Sequence, residues 1–97
     1  MAVIATFFVP GTGSELYDSY IERLTDGKGF TNVADLPVPG LLSHAAGPAD
    51  GGWRITDVWE SAEAYEAFAK VLGPILADLG YGDLQPEVGP AHNVVTR

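Results

Sequence analysis

The order of helix-like and strand-like segments constrains the fold of this 97-residue chain more than any other feature. Residues Ala2 to Val9 are apolar and partly β-branched or aromatic, which predicts a strand buried on both faces. Thr12 and Glu15 follow a Pro-Gly turn with the spacing of a capping box, which predicts the start of a helix. The apolar residues of this helix recur at helical spacing and form one stripe: Leu16, Tyr17, Tyr20, Ile21 and Leu24.

The middle of the chain predicts a hairpin. Residues 27–40 are rich in Gly and Pro and predict a long loop. Leu41 to Ala46 and Trp53 to Glu60 predict two strands, and the Gly-rich segment 47–52 between them predicts a turn. Two strands joined in this way form an antiparallel pair.

The last third of the chain predicts a second helix and a final strand. Ser61 is a suitable N-cap residue, and the apolar stripe that follows includes Tyr65 and Phe68. Pro74 lies within the stripe, which predicts a kink or a break with a second short helix. Val88 to Thr96 predict the last strand.

The resulting order, β-α-β-β-α-β, is that of the ferredoxin-like α+β fold, in which two helices cover one face of an antiparallel sheet. We expect one domain over residues 1–97. The other sheet face also needs a cover, and the chain has no cysteine that could stabilise a small core by a disulfide. A second copy would supply the missing apolar contact, so we expect a homodimer.

The charge balance excludes several classes of partner. The chain has 5 Lys and Arg against 13 Asp and Glu, a formal net charge of -8. Nucleic acids and anionic membrane surfaces bind clustered cations, so neither is an expected partner. The N-terminus lacks a basic segment and its apolar run ends at Pro10, which is unlike a signal peptide or a membrane span. We expect a cytoplasmic protein that binds a hydrophobic small molecule.

One stretch resembles a known family. Residues 52–61 form a strand that ends in Trp-Glu-Ser, and the following helix carries Tyr65 and Phe68. With Pro74, Gly80 and the sequence His-Asn-Val-Val at 92–95, this pattern resembles the antibiotic-biosynthesis-monooxygenase-like members of the dimeric α+β barrel superfamily. That resemblance implies a dimeric α+β barrel and a small-molecule ligand. The superfamily includes oxygenases that need neither a metal nor an organic cofactor.

The residue-by-residue match to those oxygenases is incomplete. Trp59 and Tyr65 stand where the family has a Trp and a Tyr. Ile55 and Leu79 stand where it has an Asn and an Arg. If Trp59 faces the pocket, strand alternation places Trp53 and Asp57 on the same side.

The candidate catalytic residues are Asp57 and His92. A carboxylate on an apolar strand face needs a partner, and Asp57 could then act as a general base. Either His92 or His44 could also be the base or could pair with Asp57. The sequence has no local spacing of metal ligands, so we expect no metal site. The candidate substrate-binding residues are Trp59, Tyr65, Tyr20, Trp53, His44 and Phe68.

Three functions follow from these residues. The first is a cofactor-independent enzyme that abstracts a proton from an aromatic or polyketide-like molecule, leading to monooxygenation, isomerisation or cyclisation. The second is a ligand-binding protein without chemistry. The third is a dimeric interaction module whose interior is filled by its own aromatic side chains and whose loop 27–40 contacts a partner.

Overall fold

The computed structural model describes residues 1–97 and contains four strands and two α-helices in the predicted order. All neighbouring strands are antiparallel, and their order across the sheet is β2-β3-β1-β4. This is the predicted ferredoxin-like α+β fold. The elements are β1 (Val3–Pro10), α1 (Glu15–Leu24), β2 (Leu41–Ala49), β3 (Gly52–Trp59), α2 (Ala62–Asp78) and β4 (Glu87–Pro90).

One face of the sheet carries the core. Every second residue of β1 is buried, as are Ile55, Asp57 and Trp59 of β3, because side chains alternate along a strand. Both helices contribute their apolar stripes to the same cluster, in which Trp59 and Ile55 are the largest fully buried side chains. The cluster also includes Phe7, Leu16, Tyr20, Leu24, Phe68, Leu72 and Leu76.

The opposite sheet face has no cover within one chain. Ile4 and Thr6 are only half-buried there, and Phe8 is 43% exposed. The expectation that β1 is buried on both faces is therefore not met in the single chain, since both helices pack against the same side. We call this surface the bare sheet face.

The two helices begin differently. Ser61 caps α2, since its Oγ accepts a hydrogen bond from the Ala64 backbone N–H at 3.1 Å. In α1 the N-cap residue is Ser14, and its side chain makes no capping bond. The predicted capping box between Thr12 and Glu15 does not form, because the helix begins only at Glu15. Instead, the Glu15 carboxylate accepts hydrogen bonds from the Gly13 N–H at 2.9 Å and from the Thr12 hydroxyl. These hydrogen bonds lower the pKa of Glu15, with the Thr12 contact as the main cause.

The hairpin is longer than its predicted strands. β2 continues to Ala49 and pairs there with Gly52, so the turn consists of Asp50 and Gly51 alone. Gly51 has a φ of +81°, a backbone conformation that side chains rarely adopt. At the other end of β2 the register shifts between Leu41 and Ser43.

The last strand differs from the sequence expectation, and the second helix lacks one of its two predicted features. α2 is one helix that continues through Pro74, so the predicted alternative of a break is absent. β4 ends at Pro90 rather than Thr96. Its partner β1 begins at Val3, which pairs with Pro90. Beyond this pair, the Ala91 N–H donates one further hydrogen bond to the Ala2 carbonyl. No helix is both long and apolar enough to cross a membrane.

Candidate functional site

Asp57 and His44 form a buried pair on the core face of the sheet. The two residues are cross-strand partners in the β2–β3 hairpin. His44 Nδ1 lies 2.5 Å from Asp57 Oδ1, and the two side chains are only 15% and 5% exposed. The requirement that the carboxylate have a partner is met by this imidazole.

Tyr17 extends this pair to three residues. Its position on α1, one turn before Tyr20, directs the ring toward β2, and its Oη lies 2.7 Å from His44 Nε2. An ionised carboxylate only accepts hydrogen bonds, so Nδ1 carries the proton that it donates to Asp57. In neutral His44, Nε2 then accepts from the Tyr17 hydroxyl. We call Tyr17, His44 and Asp57 the polar cluster.

Aromatic rings surround the polar cluster. Phe30, from the long loop, lies with its ring 4.6 Å from that of His44. Tyr20 meets Tyr17 edge to face at 5.4 Å, and Trp53 lies 5.9 Å from Tyr17. These contacts hold the cluster in an apolar environment, where hydrogen bonds between charged or polar groups are stronger than in water.

The electrostatics of the site keep its phenols protonated. Burial is the main cause that raises the pKa of Tyr17, Tyr20 and Tyr65, and the negative charge of Asp57 raises all three further. The carboxylate therefore acts on phenols from both helices. Any anion formed beside Asp57 would meet the same repulsion unless a proton reached the cluster at the same time.

A second region of the site is an apolar cavity of about 110 Å³ that is partly open to solvent. It lies between β1, α2 and the segment that leads to β4. A buried apolar cavity of ~150 Å³ can bind benzene; this one is smaller but open to solvent, so it would hold part of a ring, with the rest of a ligand outside. We call it the apolar cavity; its lining includes Phe7, Tyr65, Phe68, Leu72, Leu76 and Leu84.

Two indole N–H groups in this part of the molecule have no partner. The Nε1 atoms of Trp53 and Trp59 are buried and make no hydrogen bond within the chain. Trp59 is fully buried, and its ring lies 4.9 Å from that of Phe68, which lines the apolar cavity. An unpaired buried donor costs about 1–3 kcal/mol, which an acceptor atom on a ligand would offset.

The predicted site residues thus divide into three groups. Asp57, His44, Tyr20 and Trp53 lie in or beside the polar cluster. Tyr65 and Phe68 line the apolar cavity, with Trp59 behind Phe68. His92 lies beyond β4, is exposed and makes no side-chain hydrogen bond, so the structure does not bring it to Asp57. No group of three or more His, Asp and Glu side chains is close enough together to hold a metal ion.

The sequence placed Tyr17 only in the apolar stripe of the first helix and left open which histidine meets Asp57. The sequence does contain a signal that selects His44 as the partner of Asp57. Asp-Gly is a strong signal for a two-residue hairpin turn, and counting outward from Asp50 and Gly51 places residue 44 opposite residue 57. The contact with Tyr17 depends on how α1 packs on the sheet, which no short-range pattern encodes.

The fold and site define a class: a small ferredoxin-like α+β domain with an internal acid–base cluster and an adjoining apolar cavity. No protein-family model matches the chain, and no curated protein matches it. Among solved structures, the chain is similar to SnoaB, described as a cofactor-independent oxygenase from Streptomyces nogalater and solved as a point mutant. The alignment covers 99% of this chain and 96% of that one, with a TM-score of 0.56 and 13% sequence identity. At this identity the similarity establishes a shared fold.

Proposed function

We propose that the protein is a cofactor-independent enzyme that removes a proton from a hydrophobic, aromatic small molecule, with the His44–Asp57 pair as the proton acceptor. The observation that carries the proposal is the short contact between His44 Nδ1 and Asp57 Oδ1 in a buried, aromatic environment. A carboxylate that holds an imidazole in one orientation and stabilises its protonated form is a common device of general base catalysis.

The charge balance of the site supports this choice of acceptor. Asp57 disfavours an anion next to it, as the raised pKa values of the tyrosines indicate. When the substrate proton reaches His44, the resulting imidazolium neutralises Asp57, and the substrate anion then forms beside a neutral pair. No Arg is required for this, and Leu79 stands where the family that the chain resembles has one.

Monooxygenation is the first outcome that we propose for the substrate anion. SnoaB, whose fold the chain shares, is described as a cofactor-independent oxygenase. A CH2 group that loses a proton can itself reduce O2, because the product carbonyl and one water account for both oxygen atoms and all electrons. Isomerisation or cyclisation would begin with the same proton transfer and proceed without O2.

Anthrone is a suitable probe, since loss of a proton from its CH2 group gives an aromatic anion. Under anaerobic conditions in D2O, exchange of this CH2 group measures proton abstraction alone. In air, O2 uptake and anthraquinone formation measure oxygenation. We expect the protein to accelerate both, and His44→Gln to lower the enzymatic exchange rate by about 10²–10⁴-fold.

The same assay separates the alternatives. Exchange without O2 uptake would favour an isomerase or cyclase. Saturable quenching of tryptophan fluorescence without exchange, lost in Trp59→Phe, would favour a ligand-binding protein. Neither binding nor exchange would overturn the proposal for this substrate class and favour an interaction module. His92→Gln decides between the two histidines, because a loss confined to that variant would assign the base to His92.

Self-association through the bare sheet face is part of the proposed function. Ile4 and Val58 are direct cross-strand partners at its centre, and both are only half-buried in one chain. Phe8, on the same face, is 43% exposed. A second copy would cover these side chains, and the expected location of the dimer is the cytoplasm.

The dimer is tested by light scattering coupled to size exclusion. Ile4→Lys adds one positive charge to the centre of the bare sheet face, and Ala67→Lys adds the same charge to an exposed position on α2. We expect a wild-type dimer that the first variant converts to a folded monomer and the second leaves intact. A monomeric wild type at micromolar concentration contradicts the dimer.

A further inference from the structure

We propose that Tyr17 is the residue that contacts the substrate and exchanges a proton with it, while His44 and Asp57 act behind it as a relay. This inference rests on the acid–base function proposed above and names the atom through which it operates.

The geometry leaves His44 without a free nitrogen. Nδ1 is taken by Asp57 at 2.5 Å and Nε2 by Tyr17 at 2.7 Å. A substrate could reach Nε2 only if Tyr17 moved away. The Tyr17 oxygen has a second lone pair, because a hydroxyl donates once and accepts twice. It is therefore the terminal atom of the polar cluster.

Burial separates Asp57 from the other two residues. The Asp57 side chain is 5% exposed, whereas His44 and Tyr17 are both partly buried, and Tyr17 is at the end of the hydrogen-bond chain opposite Asp57. The raised pKa of Tyr17, caused first by burial and then by Asp57, keeps the phenol neutral at neutral pH. Tyr17 thus holds a proton to pass on.

The transfer balances without any further reactant. The substrate C–H proton moves to Tyr17 Oη while the Tyr17 hydroxyl proton moves to His44 Nε2. The C–H electron pair stays on the substrate as an enolate, Tyr17 remains neutral, and His44 becomes an imidazolium paired with Asp57. The polar cluster changes from a charge of -1 to zero, so a phenolate beside Asp57 is avoided at every stage.

A second potential hydrogen-bond donor lies near Tyr17. The ring of Trp53 lies 5.9 Å from that of Tyr17, and its Nε1–H is buried without a partner. An enolate oxygen between the two residues would accept hydrogen bonds from the Tyr17 hydroxyl and the Trp53 indole. The orphaned donor of Trp53 is then explained by a ligand rather than by packing alone.

Tyr17→Phe is the decisive variant, since it keeps the ring contacts and removes only the hydroxyl. Using anthrone exchange under anaerobic conditions, we expect the rate to fall by about 100-fold or more, with probe affinity from tryptophan fluorescence unchanged. Tyr81→Phe, at an exposed position away from the cluster, is the matched control and should keep the wild-type rate.

If His44 met the substrate directly, Tyr17→Phe would free Nε2, and exchange would stay equal or rise. That result would overturn the relay and leave the proposed function standing, provided that His44→Gln still loses exchange. A wild-type protein that does not accelerate exchange would instead overturn the proposed function.

A measurement without any substrate tests the relay independently. In ¹⁵N-resolved NMR spectra at neutral pH, we expect neutral His44 to carry its proton on Nδ1, with Nε2 as the hydrogen-bond acceptor. The exposed His92 supplies an internal reference for a solvated imidazole. The opposite tautomer for His44 would exclude donation from Tyr17 and overturn the proposal even if the variants were inactive for structural reasons.

Discussion

The polar cluster and the apolar cavity lie on the same side of the sheet, but they differ in whether their side chains hydrogen-bond to one another. In the cluster, Tyr17, His44 and Asp57 hydrogen-bond to one another. The cavity is lined mostly by hydrophobic side chains and offers space and apolar contact. Tyr65 lines the cavity, and the charge of Asp57 in the cluster adds to the effect of burial in raising its pKa.

Because of this difference, we expect the cavity to supply most of the binding energy and the polar cluster to supply the proton transfer. Apolar contact in the cavity would hold a ring with little directional preference. The polar cluster, already complete without a ligand, would stay preorganised and perform proton transfer when a substrate arrives. A variant in one region should therefore change one property much more than the other.

The largest expected effect comes from breaking the polar cluster. Asp57→Ala removes the acceptor of the His44 Nδ1 proton and the negative charge that would stabilise the imidazolium formed by proton transfer. We expect anthrone exchange to fall by about 10³-fold. A buried N–H donor left without an acceptor costs about 1–3 kcal/mol, and the 15% exposure of His44 places the loss of unfolding free energy at the lower end of that range.

Urea denaturation and exchange kinetics measure the two effects of Asp57→Ala. Asp57→Asn is the comparison variant, because it keeps the shape and an acceptor oxygen while removing the charge. Its stability should lie between wild type and Asp57→Ala, with exchange still strongly reduced. Full exchange activity in Asp57→Asn would show that the charge on Asp57 has no part in the reaction.

Filling the apolar cavity should have the second-largest effect, on binding rather than chemistry. Ala69 is half-buried on α2 and lines the cavity, so Ala69→Phe would occupy it. We expect the affinity for anthrone, measured by tryptophan fluorescence, to fall about tenfold or more, which corresponds to at least ~1.4 kcal/mol. The His44 NMR signals should stay in place. Unchanged affinity would mean that the ligand binds outside this cavity.

Alkaline pH should destabilise the fold through the buried phenols. The pKa of Tyr20 is raised mainly by burial and then by Asp57 and Tyr17. Below pH ~10, the usual tyrosine pKa, the folded and unfolded chains both hold this proton. Above it the unfolded chain releases the proton first, so the unfolding free energy falls with rising pH, by up to about 1.4 kcal/mol per pH unit for each phenol that stays protonated.

Denaturation midpoints at pH 8, 10 and 11 measure this slope. Tyr20→Phe should flatten it more than Tyr65→Phe, because Tyr20 is more deeply buried, and the exposed Tyr81→Phe should leave it as in wild type. Equal slopes in all three variants would exclude Tyr20 as the main source of the alkaline loss. The slopes of Tyr20→Phe and Tyr65→Phe thereby compare the alkaline loss of stability that arises beside the cluster with the loss that arises at the cavity.

The sequence predicted the fold and the core face of β3 because both depend on local periodicity. Strand alternation placed Trp53, Asp57 and Trp59 on one side, and the structure has all three on the core face. The end of β4 was not predictable in the same way. Val94 and Val95 have strand propensity, but a strand also needs a partner, and β1 provides none beyond its own start.

The candidate site was predictable only where it lies within the hairpin. The pairing of His44 with Asp57 follows from the position of the Asp50-Gly51 turn. Tyr17 approaches from a different element, and its hydrogen bond requires the packing angle of α1 on the sheet. Contacts of this kind are decided by tertiary structure, so sequence reasoning could name the aromatic residue but not its role.

The smallest expected effect concerns the wall of the apolar cavity at Gly73. This residue lies within α2, where Ala is more favourable than Gly by roughly 0.8–1 kcal/mol, and a Cβ built there has no atom outside its chain neighbours within 4 Å. Pro74 opposes this gain, since the proline ring crowds the Cβ of the preceding residue. We expect Gly73→Ala to raise the unfolding free energy by about 0.5 kcal/mol, with a weaker effect on anthrone affinity than Ala69→Phe. A loss of stability in urea denaturation would mean that crowding by Pro74 outweighs helix propensity, and that glycine at position 73 is what allows α2 to continue through the proline beside the cavity.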